Sequence, residues 1–386
     1  MQRIYLDHNA TTPLDPRVLE AMVPVLREGF GNASSLHWFG QRARAAVDEA
    51  RGEVAALIGA APAEVVFTGS GTEADNLALR GVAAAARSPR RKVLYSAVEH
   101  HAVVHTARAL AEEGVPVEAL RVSAHGLLDL ADLAEKVDEH TALVAVMFAN
   151  NETGVVQPLG EVVRLCHERG ALVHCDAVQA AGKIPVDARA LGVDLLALSA
   201  HKIYGPQGVG ALYVRRGTRM KALLRGGAQE RNRRAGTENV AGIVGLGRAA
   251  SLAAADLARE GPRLAALRDR LEARLLDVPG AQRNGEGPRV PNTVNVSFER
   301  IEAESLLLAL DLQGLAVSTG AACAAGAMEP SHVLRAMGLP PERVQGSLRF
   351  SLGRSTTGPQ VDQAADLVAA AVLRQRESSR RTATSR

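Results

Sequence analysis

Ala171-Leu172-Val173-His174-Cys175-Asp176-Ala177-Val178-Gln179 and Leu195-Leu196-Ala197-Leu198-Ser199-Ala200-His201-Lys202 decide how this chain is read. Each stretch opens on an apolar run of the kind that forms a parallel strand buried on both faces. Each then turns polar, and Lys202 stands 26 residues after Asp176. A carboxylate and a lysine at neighbouring strand ends are the pair that pyridoxal phosphate chemistry needs. The lysine binds the aldehyde covalently, and the carboxylate keeps the pyridine nitrogen protonated. Taken alone, the pair reads equally well as a solvated loop lysine and a helix-capping aspartate.

Outward from these two stretches, strand and helix patterns alternate. Val65 to Phe67, Lys92 to Ser96, Leu143 to Phe148, Ala171 to Cys175 and Leu195 to Leu198 read as strands. Arg42 to Ile58, Ala102 to Glu113 and Gly160 to Arg169 read as helices between them. Asp15-Pro16 reads as an N-cap with proline at the first helical position. Such alternation predicts an α/β unit around a mainly parallel sheet. An alanine-rich helix runs to about Leu257, and Glu260-Gly261-Pro262 offers a boundary. A helix from Arg263 to Leu276 and a strand from Thr293 to Phe298 then predict a smaller α+β lobe.

A chain of 386 residues exceeds the usual size of one domain, which favours two lobes. A net charge of +3 argues against nucleic acid or membrane as a partner, and 3% aromatic residues argue against base stacking. No apolar run long enough for a bilayer is expected, nor does the N-terminus carry a signal-peptide core. Three scattered cysteines make no disulfide framework, so the expected home is the reducing cytoplasm. The basic tail from Arg374 reads as a frayed, solvated end.

Thr68-Gly69-Ser70-Gly71-Thr72-Glu73-Ala74 places a glycine-rich turn between a strand and a helix, a place for a phosphate. It also fits G-x-G-x-x-A, but no acidic residue follows about 20 positions on, which counts against a nicotinamide-dependent dehydrogenase. His101 and His105 have the spacing of a helical metal pair, without a third ligand in view. His100 at a strand end is placed to lie over a flat cofactor. Asn150-Asn151-Glu152 reads either as a polar turn or as a contact at the carboxyl edge of the sheet. Cys166 and Cys175 read as core residues. Cys323, among Thr319-Gly320-Ala321-Ala322 and Ala324-Ala325-Gly326, lacks an apolar stripe and reads equally well as an exposed nucleophile on an easily moved segment or as an unreactive thiol.

Together with Ile4-Tyr5-Leu6-Asp7, Ala10-Thr11-Thr12-Pro13, Glu99-His100, Arg234-Ala235-Gly236-Thr237 and Arg349-Phe350-Ser351, these motifs stand in one order from Ile4 to about Leu373. In that order they resemble the cysteine desulfurases of the NifS/IscS group, class V aminotransferase-like enzymes that use pyridoxal phosphate. The resemblance implies a fold-type-I homodimer. Its large domain would cover residues 14–258, and its small domain residues 1–13 and 259–386, ending in a short disordered tail. It implies Lys202 as the covalent cofactor ligand, Asp176 on the pyridinium, Gln179 on the ring oxygen and His100 over the ring. Asn151 would touch cofactor and substrate. Gly71, Thr72, Ser199 and His201 would hold the phosphate, with Thr237 from the other subunit, and Arg349 would take the substrate carboxylate. Cys323 would receive the sulfur of L-cysteine as a persulfide, release L-alanine, and pass the sulfur to an acceptor or iron–sulfur scaffold protein for cluster, thio-cofactor or thio-RNA synthesis. No intrinsic metal is implied, although Cys323 could ligate an iron–sulfur cluster transiently. A selenocysteine lyase is the near alternative. Alanines 321, 322, 324 and 325 depart from the serine-rich setting usual for that thiol, while the spacing to Glu329-Pro330 suits the long-loop type.

Overall fold

The computed structural model describes residues 3–319, 323, 324, 327, 328 and 330–384; the side chains of 323, 324, 327, 328 and 379–384 lie outside that description. Strand β1 (Ile4–Tyr5) opens the chain. Next come β2 (Val65–Thr68), β3 (Lys92–Ser96), β4 (Val117–Leu120), β5 (Thr141–Ala145), β6 (Leu172–Asp176), β7 (Leu195–Ser199) and β8 (Gly210–Val214). These seven form one sheet in the order β2-β8-β7-β6-β5-β3-β4, antiparallel only where β8 meets β2 and β7. Strands β2, β5, β7 and β8 are buried at every position, as expected of a sheet covered on both faces.

Helices α1 (Pro16–Glu28), α2 (Trp38–Leu57), α3 (Gly71–Ala85) and α4 (His101–Glu112) contribute to those layers. Asp15 caps α1 as expected, its carboxylate accepting from Arg17 N–H at 2.9 Å. Val47 and Val54 of α2 join Val173, Leu196 and Leu198 in one core. Leu77 and Leu79 of α3 join Val103 and Ala107 of α4 against the other face. The expected strand over Leu143 to Phe148 starts and stops earlier, at Thr141–Ala145. Its backbone nevertheless stays beside β6, with Val146 N–H bonded to His174 O and Phe148 N–H to Asp176 O. Strands β4 and β8 escape the sequence reading: β4 is short and half exposed, and β8 begins on a glycine.

A second core gathers β9 (Ala281–Arg283), β10 (Thr293–Phe298) and β11 (Leu315–Ala316). The backbones of β12 (Cys323–Ala324) and β13 (Ala327–Met328) pair antiparallel, and β14 (Ser347–Ser351) completes the sheet β14-β10-β9. Its centre is Phe298, Leu348 and Phe350. Strand β1 pairs with β11, so Ile4 and Leu6 pack in this second core despite standing at the start of the chain.

The helix Val240–Leu276 corrects two expectations. It runs unbroken through Glu260-Gly261-Pro262, where two separate helices had been expected. Ile243, Leu246 and Ala250 lie in the first core, and Leu264, Leu271 and Leu275 in the second. Apolar contacts on both sides of Pro262 hold the helix together where propensity alone would end it. The same helix is long and apolar enough, by length and composition, to cross a membrane, contrary to the expectation of no such run. Over half of that stretch is buried inside the protein, so packing accounts for its composition. Helical structure continues into the stretch read as a frayed end. The last helix extends from Gly358 to Thr384, built from good helix formers, and Arg376 donates to Pro279 O at 2.7 Å and Glu299 O at 2.9 Å.

Candidate active site

The carboxyl ends of β2, β6 and β7 open onto one cavity of about 350 Å³, at the sheet edge where α/β folds bind ligands. At its rim Ser70 caps α3, its hydroxyl accepting from Glu73 N–H at 3.0 Å. Gly71 begins the helix where a Cβ would meet Val178 Cγ2 at 2.9 Å and Ser199 Cβ at 3.2 Å. Only glycine lets the helix start come this close to the ends of β6 and β7. The positive end of α3 therefore faces the cavity beside Thr72, Ser199 and His201, a donor-rich place for a phosphate. Glu73 accepts from Gly69 N–H at 2.7 Å and pairs with Arg234 at 2.8 Å, which steadies the turn.

Asp176, at the end of β6, accepts from Val178 N–H at 2.9 Å. Burial, then nearby Asp75, raises its carboxyl to about 7. One pleat deeper, His174 meets Asp75 of α3 at 2.9 Å, both fully enclosed, and burial lowers that imidazole to about 4. Across the cavity the Lys202 amine donates to Asn9 O and Ala10 O, each at 2.6 Å. Burial and then Arg349 lower it to about 8. His100 caps α4, its Nδ1 accepting from Ala102 N–H at 3.1 Å, so the neutral ring carries its proton on Nε2. Burial, with Lys202 adding to it, lowers this histidine to about 4.

Arg349 of β14 reaches the cavity from the second core. It donates to Asn151 O at 3.0 Å and pairs with Asp7 at 2.7 Å. Gln179 Nε2 donates to Asn9 O at 3.0 Å while its Oε1 accepts from Lys183, which leaves the second amide proton for another acceptor. Thus Gly71, Thr72, His100, Asn151, Asp176, Gln179, Ser199, His201, Lys202 and Arg349 share one cavity. Thr237 does not line it and is exposed. The Cys323 side chain lies outside the described residues. Cys166 and Cys175 are buried and free, and burial pushes the Cys166 thiol up to about 12.

Sequence reasoning missed Asn9, Ala10, Asp75 and His332 as lining residues, and it gave Glu152 no task. Asn9 was flanked by two motif segments, and that flanking was its only available signal. Every polar group of its side chain is used, toward Lys183, Asn292, Thr293 and Asn151. His101, taken as half of a metal pair, packs its ring on His332 at 4.5 Å and on His105 at 4.9 Å. Among the described residues no group of three His, Cys, Asp or Glu is arranged to hold a metal.

The donor set fits pyridoxal phosphate. Helix-end N–H groups and hydroxyls suit the phosphate, a buried carboxyl stands opposite a lysine amine, and Asn151 Oδ1 is buried with no hydrogen-bond partner among the described residues.

Residues 4–364 match the family model described as Aminotransferase class-V. A cysteine desulfurase of Trichormus azollae is 49% identical over 381 residues, 98% of this chain and 95% of that protein. A solved NifS-like protein superposes with a TM-score of 0.90 at 38% identity, covering 96% of this chain and 99% of that one. The solved structure described as SspA in complex with cysteine gives a TM-score of 0.80 at 33% identity, covering 90% and 98%. The chain belongs to the aminotransferase class-V family, within its cysteine desulfurase group.

Proposed function

We propose that this protein is a pyridoxal phosphate-dependent cysteine desulfurase that converts L-cysteine to L-alanine and leaves the sulfur as a persulfide on Cys323. The observation that carries this reading is the meeting of Lys202, Asp176, His100 and Arg349 in one cavity under a helix N-terminus. The cysteine named with the SspA structure supports L-cysteine as substrate.

When bound, pyridoxal phosphate supplies an aldehyde for amines and a ring that withdraws electrons from the substrate carbon. Gly71, Thr72, Ser199 and His201 would hold its phosphate, with the partner subunit's Thr237. Lys202 would attach it covalently, Asp176 would hold the proton of the ring nitrogen, and the free amide proton of Gln179 would be given to the ring oxygen. Asn151 offers its unpaired oxygen to cofactor and substrate. Arg349 receives the substrate carboxylate.

Lys202, with its amine free, would move protons at the substrate carbon. His100, with its proton on Nε2, would stack on the ring and serve the same traffic. The Cys323 thiolate attacks the substrate sulfur: the S–S bond forms as the C–S bond breaks, and the carbon takes a proton to leave as alanine. An acceptor or scaffold protein then takes the persulfide sulfur for iron–sulfur cluster, thio-cofactor or thio-RNA synthesis.

The reading includes a cytoplasmic homodimer with residues 14–258 as cofactor domain and 1–13 with 259–386 as small domain. The exposed Phe30, Leu36 and Trp38 and the outlying Thr237 support the dimer. Loaded protein given L-cysteine and a thiol reductant should form alanine and sulfide in equal amounts. Alanine formation undiminished in Arg349→Ala would count against the substrate assignment.

A further inference from the structure

The substrate-binding edge of Arg349 is shared with an acid. Strand β14 carries Arg349 and Ser351 two residues apart, and Asp7 forms a parallel bridge with Ser351, its neighbour His8 donating to Ser351 O at 3.1 Å. That backbone contact sets the Asp7 side chain beside the guanidinium, with Oδ1 accepting from Nη2 at 2.7 Å. Nη1 is taken by Asn151 O at 3.0 Å. Nε is buried and has no hydrogen-bond partner among the described residues. The Arg349 side chain is 6% exposed and that of Asp7 19%, so little water screens the pair. Lys202 and Lys183 are close enough to feel the same guanidinium. Without Asp7 this end of the cavity would hold a surplus of positive charge.

We propose that Asp7 is a specificity-determining residue: it fixes Arg349 with its Nε edge left for a carboxylate, and its own charge limits how tightly anions are held there. The inference rests on Arg349 as the carboxylate receptor. A single carboxylate on a small amino acid gains the open guanidinium edge at modest affinity, so the product can leave. An inorganic dianion or a second acidic group meets Asp7 and is disfavoured.

Calorimetric titration of the cofactor-loaded protein with L-alanine, L-alaninamide and sulfate tests this. Asp7→Asn keeps an oxygen for Nη2 and removes only the charge. Its dissociation constant for L-alanine should fall on the order of tenfold, that for sulfate should fall further, and that for L-alaninamide should stay unchanged. If Asp7→Asn does not fold, Asp7→Ser makes the same comparison. An unchanged or higher L-alanine constant, or an equal shift with L-alaninamide, overturns the inference and leaves the function standing. L-alanine binding undisturbed in Arg349→Ala overturns the carboxylate assignment and the inference with it.

Discussion

At pH 7 a Lys202 amine lowered to about 8 is mostly protonated, and its ammonium sits on two backbone carbonyls. Covalent attachment of pyridoxal phosphate should therefore speed up as pH rises through about 8 and then level off, which a stopped-flow absorbance series would follow. In Lys202→Ala the borohydride-fixed link should vanish; finding it on Lys183 would overturn the assignment. Asp176 works in the opposite sense. Its folded-state value of about 7 lies above the ordinary carboxylate value of 3.8, so its protonated form favours the folded state. That contribution is full below about 4 and is lost as pH rises through 7. Cofactor-free Asp176→Asn should gain thermal stability relative to the parent as pH goes from 5 to 8, whereas a pH-independent difference would deny that Asp176 is held near 7. These two residues were legible because each ends a run of buried apolar residues in its own stretch of sequence. Asp7 and Asn9 were not, because they acquire their partners from residues more than a hundred positions away.

Between elements, Arg51 of α2 and Glu230 make a buried bidentate pair, both bonds at 2.7 Å. Arg51 also donates to Val65 O at 2.9 Å and lies over the Phe67 ring at 4.7 Å, while Phe67 N–H donates to Glu230 at 2.9 Å. The pair thus clamps the segment at Glu230, Arg231 and Asn232, three successive non-glycine residues with positive φ, onto α2 and β2. Arg51→Ala or Glu230→Ala should each cost about 3–5 kcal/mol in denaturant unfolding by stranding a buried charge. Removing both should cost less than the sum of the two. Additive losses would mean the pair is not the clamp. Nothing local in the sequence marks this contact, since 179 residues separate its partners. Strands β3 and β10 were read to the residue, because Val, Leu and Phe bounded by polar turns leave one choice. The helix Val240–Leu276 was cut at Pro262, because local propensity carries no information about the two cores that hold it on either side.

Across the whole molecule, that helix ties the core beside Asp176 and Lys202 to the core that carries Arg349 and Asp7. The cavity therefore depends on both. Phe30, Leu36 and Trp38 stay exposed on one chain, at 77%, 91% and 59%, and Thr237 is exposed and does not line its own cavity. Sedimentation should find two-chain particles, and Leu36→Glu with Trp38→Glu should shift them toward single chains that retain pyridoxal phosphate less well; a monomeric parent with full cofactor retention would refute the dimer. The α/β class and the shared cavity were legible because strand ends cluster their polar residues, whereas the junction of the cores is a property of packing alone. The decisive step in the proposed reaction is the landing of sulfur on Cys323. Its most direct test is the mass of the Cys323 peptide after loaded protein meets L-cysteine without reductant. That peptide should gain the mass of one sulfur atom, matched by one alanine, with Cys323→Ala giving neither; alanine released at the parent rate by Cys323→Ala would rule out sulfur transfer to Cys323.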